Sequence, residues 1–257
     1  MLAILLIVFV TRASTPPISF VDNTSGQVTA NHHQLEATGG DSGNYAEDVS
    51  SSSYNLQSGA SGYRLSGQLQ IGGMTARNDG DTAWAEVILG PESSAWDTGV
   101  NLVFGGSSTS GKAGYGYDFW LHEGKSDLGY FHTSDLVRSN QESETNAPNP
   151  RSVYFGFALT VVPTGGTGGT AYLDVSYGGS PAGSVSGAYT AADLSNAYGY
   201  VGLWSGETGE SEFSFLDYST GGVEGQLDLT AVPAPTAIWL LGSGLIGLVG
   251  IRRRLGK

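Results

Sequence analysis

Three residues of one short segment, Asp118, Trp120 and His122, have the types and the spacing of a sugar-binding site. Alternate side chains of a β-strand point to the same face, so these three would share one face while Phe119 and Leu121 share the other. A tryptophan ring can stack on the C–H face of a pyranose, and the aspartate and histidine can bind its hydroxyls. The alternative is that Trp120 belongs to the core and the polar pair lies at a strand end.

Carboxylates are the second group that could do chemistry on a sugar. A glycoside hydrolase needs two of them, about 5–5.5 Å apart for retention of configuration or about 6.5–9.5 Å apart for inversion. The candidates are Glu86 and the pair Glu210 and Glu212. That pair lies in a charged turn, where solvated carboxylates are ordinary, and the Glu-x-Asp-x-x-Glu pattern of jelly-roll glucanases does not occur. The sequence therefore favours a protein that is not an enzyme, with a hydrolase as the alternative.

The turn-like segment at 78–81 could bind a metal. Asn78, Asp79 and Asp81 offer the oxygen ligands that calcium prefers. The spacing does not fit the regular calcium loop of helix–loop–helix proteins, and Asn-Asp-Gly sequences are common in plain turns. The chain has no cysteine, which excludes thiolate zinc sites, iron–sulfur clusters and cysteine nucleophiles. No cofactor is predicted, and calcium at this segment stays an alternative.

The composition indicates that strands position these residues. Glycine accounts for 40 of 257 residues, whereas the average glycine content of proteins is about 7 %. Charged residues make up only 14 %, whereas their average is about 25 %. Runs of alternating apolar and polar residues are typical of strands and occur at 65–71, 83–89, 100–104, 115–122, 128–132, 153–162, 171–177, 198–204 and 212–218. The glycine-rich segment 164–169 predicts a hairpin loop between two of them. We therefore predict an all-β protein with an antiparallel jelly-roll β-sandwich over residues 15–218.

The two ends of the chain have a different character. Residues 1–14 contain an apolar stretch followed by Thr-Arg-Ala-Ser and resemble a secretory signal peptide, with a buried first strand as the alternative. Residues 219–231 contain Gly221-Gly222 and predict a linker. The segment 232–257 consists of Val232 to Pro235, an uncharged apolar run at 236–251 and three arginines.

The tail has the parts of a membrane anchor. As a single hydrophobic helix the run at 236–251 would span about 24 Å, against a bilayer core of about 30 Å. It is therefore short for a permanent span. Arg252, Arg253 and Arg254 would act as a membrane stop on the cytoplasmic side, which would place the body outside the cytoplasm.

The charge of the body changes once both ends are set aside. The whole chain carries a formal charge of −13, from 11 basic and 24 acidic residues. Arg12 and the four basic residues after 251 account for 5 of the 11, which leaves 6 basic against 24 acidic residues, or −18. A body this acidic argues against nucleic-acid binding and suits an extracellular domain.

The tail resembles the PEP-CTERM sorting signal. The residues that carry the resemblance are Val232, Pro233, Ala234 and Pro235, the segment 239–248 and the arginine cluster. The usual Pro-Glu-Pro has Ala234 in place of its glutamate, so the resemblance is to a Val-Pro-x-Pro form. It implies export, anchoring in the inner membrane with the body in the periplasm, processing by an exosortase, and delivery to the cell surface or an exopolysaccharide-containing extracellular matrix.

The body resembles concanavalin A-like, laminin-G-type jelly rolls. The resemblance lies in the segment 198–206, which contains Gly-Tyr-Val-Gly-Leu-Trp, and in the aromatic and aspartate residues of 213–218. In that family these two segments are the terminal strand pair. The resemblance therefore implies that the strands at 198–204 and 212–218 pair with each other, and it implies a fold in which one sheet often binds sugar.

Overall fold

The computed structural model describes residues 18–22, 27–28, 34–38, 44–57, 62–72, 84–91, 95–107, 116–133, 153–205 and 213–232. Within these ranges the chain forms strands and one short helix, α1 (Ala95–Thr98). The strands are β1 (Ile18–Asp22), β2 (Gln27–Val28), β3 (Gln34–Thr38), β4 (Asn44–Ser50), β5 (Gly62–Gly72), β6 (Trp84–Pro91), β7 (Val100–Ser107), β8 (Gly116–Glu123), β9 (Ser126–Thr133), β10 (Val153–Gly165), β11 (Gly168–Tyr177), β12 (Ser180–Tyr189), β13 (Ala197–Ser205), β14 (Phe213–Thr220), β15 (Val223–Glu224) and β16 (Gln226–Val232). No helix of the described residues is long and apolar enough to cross a bilayer. The predicted C-terminal helix and the signal-like segment 1–14 lie outside the described residues.

The strands form two antiparallel sheets, here called the front and back sheets. The front sheet has the order β1-β4-β13-β6-β7-β8-β9. The back sheet has the order β12-β11-β10-β5, and the other edge of β5 pairs with β14 along one half and with β16 along the other. β1 pairs with both β4 and β16 and so links the two sheets. The prediction of an all-β, two-sheet antiparallel sandwich is confirmed.

The core lies between the sheets because each strand turns alternate apolar side chains inward. Leu65 and Leu69 of β5 are 0 % and 2 % exposed, as the alternation at 65–71 predicts. Phe119 of the front sheet meets Phe155 of the back sheet edge to face, with ring centroids 5.3 Å apart. This aromatic contact holds the sheets together at β8, the strand that also carries Trp120.

The sandwich closes at one edge, where β9 of the front sheet lies against β12 of the back sheet. Glycines allow this close approach. A Cβ at Gly183 would overlap the ring of Phe131, and a Cβ at Gly187 would press on the backbone and side chain of Leu128. The position of β9, and of the side chains on its outer face, therefore depends on glycines in β12.

Two predictions about the C-terminal part of the body are wrong. The segment 219–231, predicted as a linker, contains β15 and most of β16, because Gly221 and Gly222 form a tight turn with φ of +56° and +82° and the chain folds back. Leu227 and Leu229 of β16 are then buried in the core. The strands at 198–204 and 212–218 do not pair with each other, because β13 lies in the front sheet and β14 in the back sheet.

Candidate functional site

The candidate site lies on the outer face of the front sheet, on the hairpin formed by β8 and β9. Asp118, Trp120 and His122 alternate with Phe119 and Leu121, which are 2 % and 0 % exposed and face the core. The three predicted residues therefore lie on the outward face of β8. In β9, His132 lies opposite Asp118 and Tyr130 lies opposite Trp120.

The Asp118 carboxylate is the centre of a short polar network. Tyr130 Oη donates a hydrogen bond to Asp118 Oδ1 at 2.6 Å, and His132 Nδ1 lies 2.6 Å from the same oxygen. The side chains of Asp118 and His132 are 13 % and 30 % exposed, so both are accessible from solvent. Both contacts end on Oδ1, and the second carboxylate oxygen can accept a hydrogen bond from a bound hydroxyl.

Two aromatic rings border this network. The rings of Trp120 and Tyr130 have centroids 5.2 Å apart and planes inclined by 39°. Tyr130 is 48 % exposed, and Trp120 is partly buried. The pair presents an aromatic surface next to a carboxylate and an imidazole, which is the combination that a sugar ring with axial C–H groups and equatorial hydroxyls requires.

The ionisation of the network follows from its surroundings. Partial burial, together with the hydrogen bond and the negative charge of Asp118, raises the pKa of Tyr130 to about 12. The phenol therefore stays protonated at any physiological pH and donates to Asp118.

His122 shares the outer face but lies apart from this network. It is opposite Asn101 of β7 and Asp127 of β9. Burial lowers the pKa of His122, and the charge of Asp127 opposes part of that shift. The structure thus groups Asp118 and Trp120 with Tyr130 and His132, two residues that the sequence analysis missed. The alternation in β9 could have indicated them, because Phe131 faces inward and its neighbours Tyr130 and His132 must then face outward.

A second set of carboxylates lies on the same outer face. Glu47 of β4 and Glu86 of β6 both lie directly opposite Gly202 of β13, one on each side. Two strand spacings separate them, about 9.6 Å between Cα atoms. The register continues across the sheet in one row, namely Glu47, Gly202, Glu86, Val103, Trp120 and Tyr130. Glu86 is only 3 % exposed.

Asn78, Asp79 and Asp81, and also Glu210 and Glu212, lie outside the described residues. Among the residues that the structure describes, no group of three His, Asp or Glu side chains could hold a metal ion.

The C-terminal segment matches a known sorting motif. Residues 231–254 match the model of the PEP-CTERM protein-sorting motif, so the chain carries this motif at its C-terminus. The motif implies an exported, C-terminally sorted cell-surface protein that an exosortase processes. Val232 is the last residue of β16, whereas Pro233, Ala234, Pro235 and the arginines at 252–254 lie outside the described residues.

The body has the concanavalin A-like fold of legume lectins. It is similar to the winged bean acidic lectin solved with methyl-α-D-galactose, with a TM-score of 0.50 and 8 % identity over 83 % of this chain and 92 % of the lectin. Lectin I-B4 of Griffonia simplicifolia gives a TM-score of 0.49 and 7 % identity over 83 % and 93 %. The Bacillus licheniformis β-glucanase gives 0.43 and 10 % over 84 % and 88 %. At this identity the likeness shows the fold alone. No curated protein matches the sequence.

Proposed function

We propose that this chain is an exported, non-catalytic glycan-binding protein of the cell surface or extracellular matrix. The apolar tail first anchors it in the inner membrane, with the body in the periplasm, and an exosortase then processes it. The observation that carries the binding activity is the adjacent pair of partly buried Trp120 and exposed Tyr130 beside the Asp118 and His132 side chains. The expected ligand class is an exopolysaccharide.

The chemistry of this surface suits a sugar better than it suits a protein or a nucleic acid. The aromatic pair stacks on C–H groups, and Asp118 and His132 accept and donate hydrogen bonds to hydroxyls at the ring edge. The hydrogen bond from Tyr130 to Asp118 fixes both groups before a ligand arrives, which lowers the entropy cost of binding. The acidic body is repelled by the phosphates of nucleic acid.

A glycan array with purified body tests this proposal, in buffers with calcium and with a chelator. Trp120→Ala removes one of the two rings, and we expect the affinity to fall about tenfold or more, which corresponds to about 1.4 kcal/mol or more. Tyr154→Ala is the matched control, because Tyr154 is 54 % exposed on the back sheet. Unchanged binding in Trp120→Ala would show that the ligand does not bind at this site. Loss of binding in the buffer with the chelator would show that binding requires calcium.

The second candidate function is a jelly-roll glycoside hydrolase that acts on an exopolysaccharide. Glu47 and Glu86, on either side of Gly202, favour it because their side chains leave the same face of the sheet from Cα atoms about 9.6 Å apart, which is compatible with the carboxylate separation used for inversion. The 3 % exposure of Glu86 opposes it, since a polysaccharide cannot reach that carboxylate in this conformation. This contrast is why binding is the leading proposal.

Release of reducing ends from the bound polysaccharide separates the two functions. Binding alone predicts no release, in the wild type or in Glu86→Gln. A hydrolase predicts release that Glu86→Gln abolishes, while the Trp120-dependent affinity survives. Release that persists in Glu86→Gln and in Glu47→Gln would point to a contaminating enzyme and would leave the binding proposal standing.

The localisation has its own test. Residues 232–257 fused to a reporter that carries an export signal should hold the reporter in the inner-membrane fraction. Deletion of the exosortase should increase that fraction. A reporter that stays in the soluble periplasmic fraction would contradict the anchoring step.

A further inference from the structure

The sorting motif starts inside the folded body. The match begins at residue 231, and Ala231 and Val232 are still paired with Tyr63 and Gly62 of β5. The strand that ends at Val232 also buries Leu229, which is 1 % exposed. No spacer therefore separates the last strand of the sandwich from the proline-containing start of the tail.

The chain length then limits how far the body can be from the bilayer. Only Pro233, Ala234 and Pro235 separate Val232 from Thr236, where the apolar run begins. Four Cα–Cα steps of about 3.8 Å span at most about 15 Å. The end of the sheet at which β16 terminates must therefore lie within about 15 Å of the point where the apolar run begins.

The register identifies this end of the sandwich. Val232 pairs with Gly62 at the start of β5, and Val161 near the end of β10 pairs with Tyr63 next to it. The β10–β11 hairpin therefore turns at the same end, with its tip at 166–167. The end opposite carries the β11–β12 turn at 178–179.

Glu123, the last residue of β8, shows which end of the front sheet lies at this end of the sandwich. Its carboxylate accepts hydrogen bonds from the backbone N–H groups of Thr190 and Ala192, at 2.8 and 2.9 Å, just beyond the end of β12. Since β8 runs toward this end, Asp118 lies five residues farther away, about 17 Å along the strand.

We infer that the anchored protein contacts the phospholipid headgroups through the end of the sandwich that contains the β10–β11 hairpin, and that the Asp118 and Tyr130 surface, on the side of the sandwich, is held farther from the membrane. The inference rests on the proposed tail anchoring. Residues 161–171 contain no Asp, Glu, Lys or Arg, although the body carries −18 overall. The hairpin therefore has no acidic side chain of its own that anionic headgroups would repel, while the glycan site stays clear of the bilayer.

Single-cysteine labelling tests the orientation, because the natural chain contains no cysteine. The full chain is reconstituted into phosphatidylethanolamine–phosphatidylglycerol vesicles that contain a headgroup-linked quencher, with a fluorophore on Thr167→Cys or on Ser180→Cys. These positions lie in the hairpin tip and beside the opposite turn, about 33 Å apart along β11. We expect several-fold stronger quenching at position 167. Equal quenching, or stronger quenching at 180, would overturn the orientation.

A spacer provides the matched control. Twenty Gly/Ser residues inserted between Val232 and Pro233 have an r.m.s. length of about 25 Å, which releases the body, and the difference between the two labels should disappear. A difference that persists would show that the hairpin binds lipid without the tether and would overturn the tether-based explanation. Failure of the chain to sediment with vesicles would overturn anchoring and orientation together, whereas glycan binding by the isolated body would be unaffected.

Discussion

The two faces of the β8–β9 hairpin carry the same kind of aromatic contact in opposite surroundings. On the inner face the ring centroids of Phe119 and Phe131 lie 5.1 Å apart. On the outer face the ring centroids of Trp120 and Tyr130 lie 5.2 Å apart. Phe119 is 2 % exposed, whereas Tyr130 is 48 % exposed. The inner pair, in which Phe119 is buried and Phe131 partly buried, therefore contributes hydrophobic burial to folding, while the outer pair keeps a ring surface available to a ligand.

One hairpin can thus separate folding from recognition by the alternation of its side chains alone. A substitution on the inner face should change the free energy of unfolding, and one on the outer face should change binding. For a body that unfolds in a two-state transition, the two effects can be measured separately by denaturation and by glycan binding.

The largest effect is expected on the inner face, for Phe119→Ala. Its ring contacts Phe104, Phe131 and Phe155, so the substitution leaves a cavity between the sheets. We expect a loss of about 3–5 kcal/mol in the free energy of unfolding, measured by urea denaturation. Trp120→Ala, one residue away on the outer face, should cost distinctly less. Equal losses would show that the outer pair also stabilises the fold.

A smaller loss is expected where the hairpin meets the back sheet. Gly183→Ala places a methyl group against the Phe131 ring, which must shift. We expect a loss of about 1–3 kcal/mol from overpacking. Because Tyr130 and His132 flank Phe131 in β9, glycan affinity should fall as well. Ser184→Ala, at an exposed neighbouring position, is the control. Lower stability with unchanged affinity would show that the outer face tolerates a shift of β9.

The alternation itself could be predicted from the sequence, and the composition of the site could not. The pattern at 115–122 predicts which residues of β8 face outward, because a period of two is a local property. The partner strand depends on register. Pairing across the two-residue turn at Gly124 and Lys125 would place Phe131 opposite Asp118, whereas a β-bulge between Leu121 and His122 shifts the register by one residue. That shift brings His132 and Tyr130 to the outer face.

Local pattern also fails to say which sheet a strand joins. The segments that became β13 and β14 are equally suited to either sheet, because both alternate and both are bounded by glycine or polar residues. The choice depends on long-range pairing, with β6 and β4 for one and with β5 and β3 for the other. By contrast, the hairpin predicted at 164–169 is present, since Gly166 adopts a φ of +75° that its turn requires.

The network on the outer face predicts a spectroscopic change with little effect on folding. Burial raises the pKa of Tyr130, and the hydrogen bond and the charge of Asp118 raise it further, so removal of that charge in Asp118→Asn should lower this pKa below about 12. Ultraviolet titration of the phenolate measures it, with Tyr130→Phe as the control that identifies the band. Stability should change by less than about 1 kcal/mol, and glycan affinity should fall. An unchanged Tyr130 titration would mean that Asp118 does not hold the hydroxyl.

The smallest effect on stability at neutral pH is expected for Tyr189→Phe. This variant tests a buried phenol, in contrast to the exposed phenol of Tyr130. The Tyr189 hydroxyl is buried and has no hydrogen-bond partner among the described residues, so its removal should cost almost nothing at pH 7. Burial, followed by the charge of Glu123, raises the pKa of Tyr189 to about 12. Its neutral form is favoured in the folded state, so its contribution to stability is complete below pH 10 and is lost as the pH rises to about 12. Urea midpoints measured from pH 7 to 12 should therefore fall less steeply in Tyr189→Phe than in the wild type, and parallel curves would show that this phenol does not drive the alkaline loss.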